Sequence, residues 1–83
     1  MDTINSQVLG NVTVSKDTQY NYIDCDNIVI EEGVMARLFG KVNQTITIKK
    51  GAMVYLHGKM LGKIANEGGV LYVFLPNGQV ESY

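Results

Sequence analysis

The side chain best suited to proton transfer near neutral pH is His57, the only histidine among 83 residues. A general base needs a reacting group within hydrogen-bonding reach and a third group that orients it, and the sequence offers neither at a recognisable spacing. His57 stands between Leu56, expected to be buried, and Gly58, so alternation places it on the outside of a strand. We therefore predict that His57 is exposed and that the chain has no catalytic site.

Three glycine–lysine pairs have the residue order that ends a phosphate-binding loop. That loop also needs a glycine five residues before the pair and a serine or threonine after it, which help to hold the phosphates and their metal ion. None of the pairs meets either condition. We interpret them as corners with solvated lysines: Gly40–Lys41, Gly58–Lys59 and Gly62–Lys63.

Five of the eight acidic residues are candidates to supply the oxygen ligands that a hard cation prefers. Asp24 and Asp26 lack the further ligands of a known calcium loop, so a turn is the simpler interpretation. Cys25 between them is the only cysteine, which excludes an intrachain disulfide and a zinc-binding cysteine pair. A reactive thiol needs an electropositive site, so we predict that Cys25 is a turn or core residue and that no metal or cofactor is bound. The acids are Asp17, Asp24, Asp26, Glu31 and Glu32.

These residues belong to a repeat with a period of eighteen residues. The segment that begins at Asn27, NIVIEEGVMARLFGKVN, returns at Thr45 as TITIKKGAMVYLHGKML. A weaker third copy follows at the same spacing, and a degenerate copy precedes them at a spacing of sixteen. A fixed period predicts one supersecondary unit stacked on itself. In the third copy Ile64, Gly69 and Phe74 match Ile46, Gly51 and Leu56; in the degenerate copy Val12, Val14 and Tyr22 match Ile28, Ile30 and Leu38.

Each copy alternates β-branched and polar residues, which is typical of short strands with one buried face. Nine glycines, eight of them from Gly33 onward, interrupt most windows long enough for a helix. Gly33 and Gly51 each follow two charged residues and predict turns with positive φ, while Gly40 and Gly58 predict a second corner. The sequence therefore predicts an all-β, small single-domain parallel β-solenoid, a right-handed β-helix of three to four coils with about 18 residues each.

The register of the repeat stacks charged residues in two columns whose signs alternate. Neighbouring coils lie about 4.8 Å apart, so each exposed pair of opposite charges is expected to contribute roughly 0.2–1 kcal/mol. Such pairs favour one register more than they stabilise the fold. The columns are Glu31, Lys49 and Glu67, and Lys16, Glu32 and Lys50.

The two ends of the chain differ from the repeats. Residues 1–10 are predicted to form an N-terminal arm or cap, residues 11–69 the coils, and residues 70–83 a C-terminal strand and hairpin. The hairpin prediction rests on the apolar run VLYVFL, which is followed by the turn sequence PNG. Such a cap would protect the last coil from pairing with another chain.

The pattern Ile-x-Ile-x-x-Gly-Ala-x-Val-x-Leu-x-Gly, from Ile46 to Gly58, resembles the coil motif of bactofilin-type β-helices. The resemblance covers about residues 12–74. It implies a right-handed parallel β-helix and a self-assembling structural module, because members of that family polymerise end to end into cytoskeletal filaments. The chain departs from the family in having roughly four coils, fewer than its members usually have, and a predicted capping hairpin.

Every sixth residue is also apolar, in a pattern similar to that of left-handed hexapeptide-repeat acyltransferases, whose coils are also 18 residues long. That resemblance implies a trimeric transferase in which His57 acts as general base. Such enzymes usually need more coils to form the cofactor cleft, so this is the least favoured interpretation. The residues are Ile30, Ala36, Val42, Ile48, Val54 and Met60.

Charge and composition restrict the partners. The net charge is −1, the pI is about 5.6, and the seven lysines and arginines are dispersed, which argues against nucleic acid or an anionic membrane. The N-terminus has no apolar segment of a signal peptide, and no run approaches the roughly 18 apolar residues of a membrane span. We therefore predict a cytoplasmic protein.

One outward column contains residue types that are common in protein–protein binding sites. Arg37 and Tyr55 occupy equivalent positions in the two strongest copies, and Tyr72 is expected near them. Met35 and Met53 are interpreted as core residues. The column is predicted to be Asn21, Arg37, Tyr55 and Val73, beside a buried column of Tyr22, Leu38, Leu56 and Phe74, with Tyr20 and Tyr83 nearby.

The function predicted from these residues is non-catalytic protein binding. The most concrete form is a small immunity or inhibitor protein that neutralises a partner protein, either a toxin or an enzyme. The alternative is a bactofilin-like module that assembles with copies of itself into a homo-oligomer.

Overall fold

The computed structural model describes all residues 1–83 and contains eight β-strands and no helix. No helix that is long and apolar enough to span a membrane is therefore present. Parallel strands stack into about four turns of roughly 18 residues, which confirms the predicted all-β solenoid. Its handedness stays a prediction. The strands are β1 Asp2–Ile4, β2 Val8–Val14, β3 Thr18–Ile30, β4 Met35–Ile48, β5 Met53–Met60, β6 Lys63–Asn66, β7 Val70–Phe74 and β8 Val80–Ser82.

The strands pair in three ladders. The long strands β3 and β4 contribute to all three, and register shifts in β3 separate one ladder from the next. The first ladder contains β1, β3, β4, β5 and β7 in parallel and ends with antiparallel β8. The second ladder runs through Gly10, Cys25, Val42 and Met60, and the third through Val12, Ile28, Ile46 and Ile64.

The interior is filled by apolar residues that alternate with outward residues along the strands. Leu38 and Leu56 are fully buried neighbours in the first ladder, and Ile46 is fully buried in the third. Burying a side chain of this size contributes about 1.5–3 kcal/mol relative to leaving it in water. Stacked apolar columns therefore hold the coils together. Five residues of the six-residue pattern are fully buried: Ile30, Ala36, Val42, Ile48 and Val54.

Glycine is required in the coils for two different reasons. Gly33 and Gly51 have φ values of 70° and 74°, which confirms the predicted positive-φ turns. At the predicted second corner, Gly40 and Gly58 have φ values of 143° and 154°, and β4 and β5 continue through them from the first ladder into the second. A Cβ atom on Gly58 would lie 1.7 Å from the carbonyl oxygen of Gly40, so the stacked backbones approach too closely there for a side chain.

The register of the first ladder differs from the prediction at both weak copies. Residues 21 and 22 bulge out of β3, so Tyr20 rather than Tyr22 pairs with Leu38. Tyr22 is 61% exposed instead of buried. At the other end, Met53 pairs with Val70, and the last turn is one residue shorter than in the stronger copies.

The charged columns stack without forming the expected pairs. Backbone hydrogen bonds of 2.8–3.0 Å place Glu31, Lys49 and Glu67 at the same point of successive coils. Their charged groups are nonetheless more than 4.0 Å apart, because exposed ions gain little by leaving water for one another. The ion pairs of the molecule are Lys16–Asp2 at 2.8 Å and Lys41–Asp24 at 4.0 Å.

Both termini pair with the coils. At the N-terminus β1 and β2 each pair with β3, so the predicted arm or cap includes paired strand. At the C-terminus β7 and β8 form an antiparallel hairpin with a turn at Gly78, which confirms that prediction. Leu71 and Tyr83 exchange backbone hydrogen bonds of 3.1 and 2.8 Å beside the hairpin.

Candidate interaction site

Arg37 and Tyr55 are direct neighbours on the outward side of the first ladder, as the repeat predicts. The next residue of that column is Tyr72, because the shorter last turn brings it into register with Tyr55. Val73, predicted for this position, pairs instead with Leu56 and is 4% exposed. The predicted position of Val73 is therefore wrong, and Val73 is a core residue.

Asn21 does not continue the column beside Arg37. It lies in the bulge of β3, and Gln19 is the residue that pairs with Arg37. The Asn21 side chain accepts a hydrogen bond of 2.9 Å from Gln19 and donates one of 2.6 Å to Asn5. The prediction that Asn21 belongs to the column is therefore wrong. Asn21 belongs instead to a polar margin beside the column.

A second outward column lies two residues farther along each strand and consists of Phe39, His57 and Phe74. The His57 ring lies 4.6 Å from the Phe39 ring and 4.3 Å from the Phe74 ring, measured between centroids. Interplanar angles of 8° and 10° make this a continuous stack. The stack follows from the coil spacing of about 4.8 Å, which places in-register rings at contact distance.

The two outward columns contact each other. Tyr55 stacks on Tyr72 with ring centroids 5.5 Å apart, and its ring lies 6.3 Å from that of Phe74. The result is one surface of six neighbouring side chains on β4, β5 and β7. We call it the arginine–aromatic face: Arg37, Phe39, Tyr55, His57, Tyr72 and Phe74.

His57 is not the exposed residue that alternation alone predicts. It points outward, but the rings of Phe39 and Phe74 cover its two faces, so it is only partly exposed. Burial, and secondarily the positive charge of Arg37, lower the pKa of His57 below its usual 6.5. The ring is therefore mainly neutral at physiological pH, and its charge adds little to the face.

Arg37 is the exposed cation of the face. Its guanidinium carbon lies 5.7 Å from the centroid of the Tyr55 ring, within the range of a cation–π contact. No carboxylate lies within 4.0 Å of it, since the two ion pairs of the molecule involve lysines. Arg37 thus combines a cation–π contact to Tyr55 with an unpaired charge.

Two methionines extend the apolar part of the face. Met35 and Met53 are in register, with Met53 39% exposed, so the prediction that they fill the core is wrong. They stand two residues before Arg37 and Tyr55 on the same outward side. The Tyr55 hydroxyl donates a hydrogen bond of 2.9 Å to the sulfur of Met53, which holds the tyrosine ring in place.

The alternation along the strands already indicates that Phe39 and His57, which the comparison of repeats missed, belong to the outward side. Phe39 and His57 stand two positions after Arg37 and Tyr55, so the same period of two places them on the same side. Of the other tyrosines, Tyr20 packs against the core. Tyr83 donates a hydrogen bond of 3.1 Å from its hydroxyl to Glu81 in the C-terminal segment.

The side chains of the arginine–aromatic face can form apolar and aromatic contacts with another molecule. Stacked rings cover one another's faces and present their edges to solvent, which suits apolar protein groups better than bases or sugars that stack on an open ring face. Elsewhere no group of three or more His, Cys, Asp or Glu residues is placed to hold a metal ion, and no pocket is present. Cys25 is fully buried, and burial raises the pKa of its thiol to about 11.

Comparison of the chain with protein-family models, with curated proteins and with solved structures found no match.

Proposed function

We propose that this protein is a non-catalytic protein-binding module of the immunity or inhibitor kind, which neutralises a partner protein through the arginine–aromatic face. The observation that carries the proposal is the concentration of Arg37, Tyr55 and Tyr72 with three further rings on one side of a rigid scaffold. Arginine and tyrosine are the residues that most often dominate binding energy at protein interfaces.

The character of the face supports a protein partner over a nucleic acid. The chain has a net charge of −1, and the face presents one exposed cation instead of the basic stripe that phosphate backbones require. Rigid in-register strands also reduce the entropy that is lost when the side chains are ordered on binding. Both properties suit a preformed protein–protein interface.

The test is capture of partners from native cells with the wild-type protein and with Arg37→Ala/Tyr55→Ala. We expect the double variant to lose the captured partner, because arginine and tyrosine are enriched among the interface residues whose truncation costs about 2 kcal/mol or more. Lys50→Ala/Leu61→Ala is the matched control, since it removes one cation and one exposed apolar side chain outside the face. Equal capture by all three proteins would contradict the proposal.

A second candidate is the bactofilin-like self-assembling module, which one observation favours. Strand β2 pairs only with β3, spans seven residues and carries no charged side chain. Exposed edges of this kind invite pairing with another strand, and charged residues are the usual protection. Light scattering and electron microscopy at high concentration separate the candidates: filaments that disappear in Thr13→Lys support self-assembly, whereas a monomer or a closed dimer removes it.

A further inference from the structure

We propose that the partner places an aspartate or glutamate carboxylate against the guanidinium of Arg37, surrounded by apolar groups that contact the aromatic ring edges. This inference rests on the proposed function and names the chemistry of the partner's central contact. The partner group is a protein carboxylate because the face offers one unpaired guanidinium donor, Arg37, with apolar surface around it.

The charge distribution singles out Arg37. The other outward positions of the first ladder on β4, β5, β7 and β8 are uncharged: Met35, Phe39, Met53, Tyr55, Val70, Tyr72, Phe74, Val80 and Ser82, with His57 mainly neutral. Asp17 at the margin accepts a hydrogen bond of 2.8 Å from the backbone N–H of Met35 and does not pair with Arg37. One cation therefore stands in an otherwise neutral surface.

The geometry of Arg37 suits a carboxylate. A guanidinium held over an aromatic ring keeps its N–H edge free, and that edge matches the two oxygens of a carboxylate. Contact with the neighbouring rings excludes water from the pair once a partner docks, which strengthens the attraction relative to a pair in solvent. A docked protein without an acid at this point would bury the charge unpaired, which is strongly unfavourable.

A single arginine also distinguishes a carboxylate from a phosphate. Phosphorylated segments are generally recognised by clusters of arginines, because a phosphate carries nearly two negative charges. The arginine–aromatic face has one arginine, and His57 beside it is mainly neutral. One negative charge therefore balances the face, and a phosphopeptide becomes an outcome that the experiment can distinguish.

The experiment uses a library of random 12-residue peptides displayed on phage, selected in parallel on the full-length wild-type protein and three variants. Arg37→Met removes the charge but keeps an apolar stem. Tyr55→Ala/Tyr72→Ala removes the aromatic surface, and Lys50→Met is the matched control for the loss of an exposed cation. Circular dichroism establishes that each variant is folded before selection.

We expect peptides enriched on the wild type and on Lys50→Met to share an acidic residue flanked by apolar ones. Their affinity should fall about 10- to 100-fold on Arg37→Met, as for a hydrogen bond to a charged group. Replacing the peptide's acid with its amide should weaken wild-type binding similarly and change little on Arg37→Met. Loss of binding to Tyr55→Ala/Tyr72→Ala would place the same peptides on the face.

Two results would overturn the inference in distinguishable ways. If the enriched peptides need Tyr55 and Tyr72 but lack an acidic residue, or if they bind Arg37→Met as well as the wild type, the inference of a partner carboxylate is wrong. The arginine–aromatic face would then still be a protein-binding site. A preference for synthetic phosphopeptides over their acidic counterparts would have the same effect. If no peptide is enriched, or if enriched peptides bind all variants equally, both the inference and the proposed function fail.

Discussion

The protonation of His57 is controlled by the side chains stacked on it. On β4, Phe39 covers one face of the ring and Arg37 contributes a positive charge, and on β7, Phe74 covers the other face. Removing the ring from water and placing a cation nearby both disfavour the imidazolium, so they lower the pKa in the same direction. His57, which only the hexapeptide-repeat resemblance would make a general base, is here a mainly neutral member of an aromatic stack.

The first prediction concerns the pH dependence of stability. Because the folded state favours the neutral ring, the unfolded chain, with a pKa of 6.5, binds a proton first as the pH falls. The stability that His57 contributes is therefore complete above about pH 6.5 and is lost as the pH falls through the lowered folded-state pKa. NMR titration of the His57 ring and urea unfolding between about pH 7.5 and 5 measure the two effects.

His57→Phe is the matched variant, because it keeps an aromatic ring in the stack and removes the titration. We expect wild type to lose more stability than His57→Phe over this range, since carboxylate titrations are common to both proteins. Phe74→Ala should move the pKa of His57 back toward 6.5, because it opens one ring face to water. Parallel stability curves for wild type and His57→Phe would contradict the prediction.

At the scale of the elements, close backbone contact between coils depends on particular glycines. Gly58 has φ of 154° and lies against the carbonyl of Gly40, which in turn lies against the carbonyl of Ile23. Gly78, in the hairpin turn, has φ of 85° but open space where a Cβ would lie. The two positions separate the cost of a strained φ from the cost of a steric clash.

The second prediction follows from that difference. Gly58→Ala should lower the free energy of unfolding by about 3 kcal/mol or more, because it combines strain with a clash against backbone that cannot rotate away. Gly78→Ala should lower it by about 1–2 kcal/mol, the cost of the left-handed region alone. Urea unfolding monitored by circular dichroism gives both values. Similar losses for the two variants would show that the stacked backbones relax to accept a methyl group.

The strong copies of the repeat predict the coil, the turns at Gly33 and Gly51, and the neighbouring positions of Arg37 and Tyr55. The weak copies mislead, because a bulge and a shortened turn change the register by amounts that a fixed spacing does not reveal. Each slip by one residue exchanges outward and inward positions, which is why Val73 is buried and Tyr72 joins the column. The stack of Phe39, His57 and Phe74 depends on that corrected register.

At the scale of the whole molecule, the two ends of the solenoid are not equivalent. The N-terminal end presents the uncharged edge of β2, which pairs on one side only. The C-terminal end of the first ladder is covered by antiparallel β8, with Glu81 on that strand. Asn66 reinforces this cover by donating a hydrogen bond of 3.2 Å to the carbonyl of Tyr83. The hairpin therefore covers the β7 edge of the first ladder, whereas β6 in the third ladder pairs only with β4.

The last prediction tests the hairpin as a cap. A chain that stops after Leu75 lacks β8 and exposes the free edge of β7, including the backbone groups of Leu71 that bond to Tyr83. Three outward apolar residues of β7, Val70, Tyr72 and Phe74, then lie beside an unpaired edge. Such an edge pairs readily with another chain, so we expect dimers or larger species that increase with concentration, measured by light scattering after size exclusion.

Thr13→Lys in the shortened chain should leave this association unchanged, because it charges only the edge of β2 at the opposite end. A shortened chain that stays folded and keeps the mass of a single chain at every concentration would show that β8 is dispensable as a cap. Association abolished by Thr13→Lys would instead place the sticking edge on β2 and favour assembly through the N-terminal end.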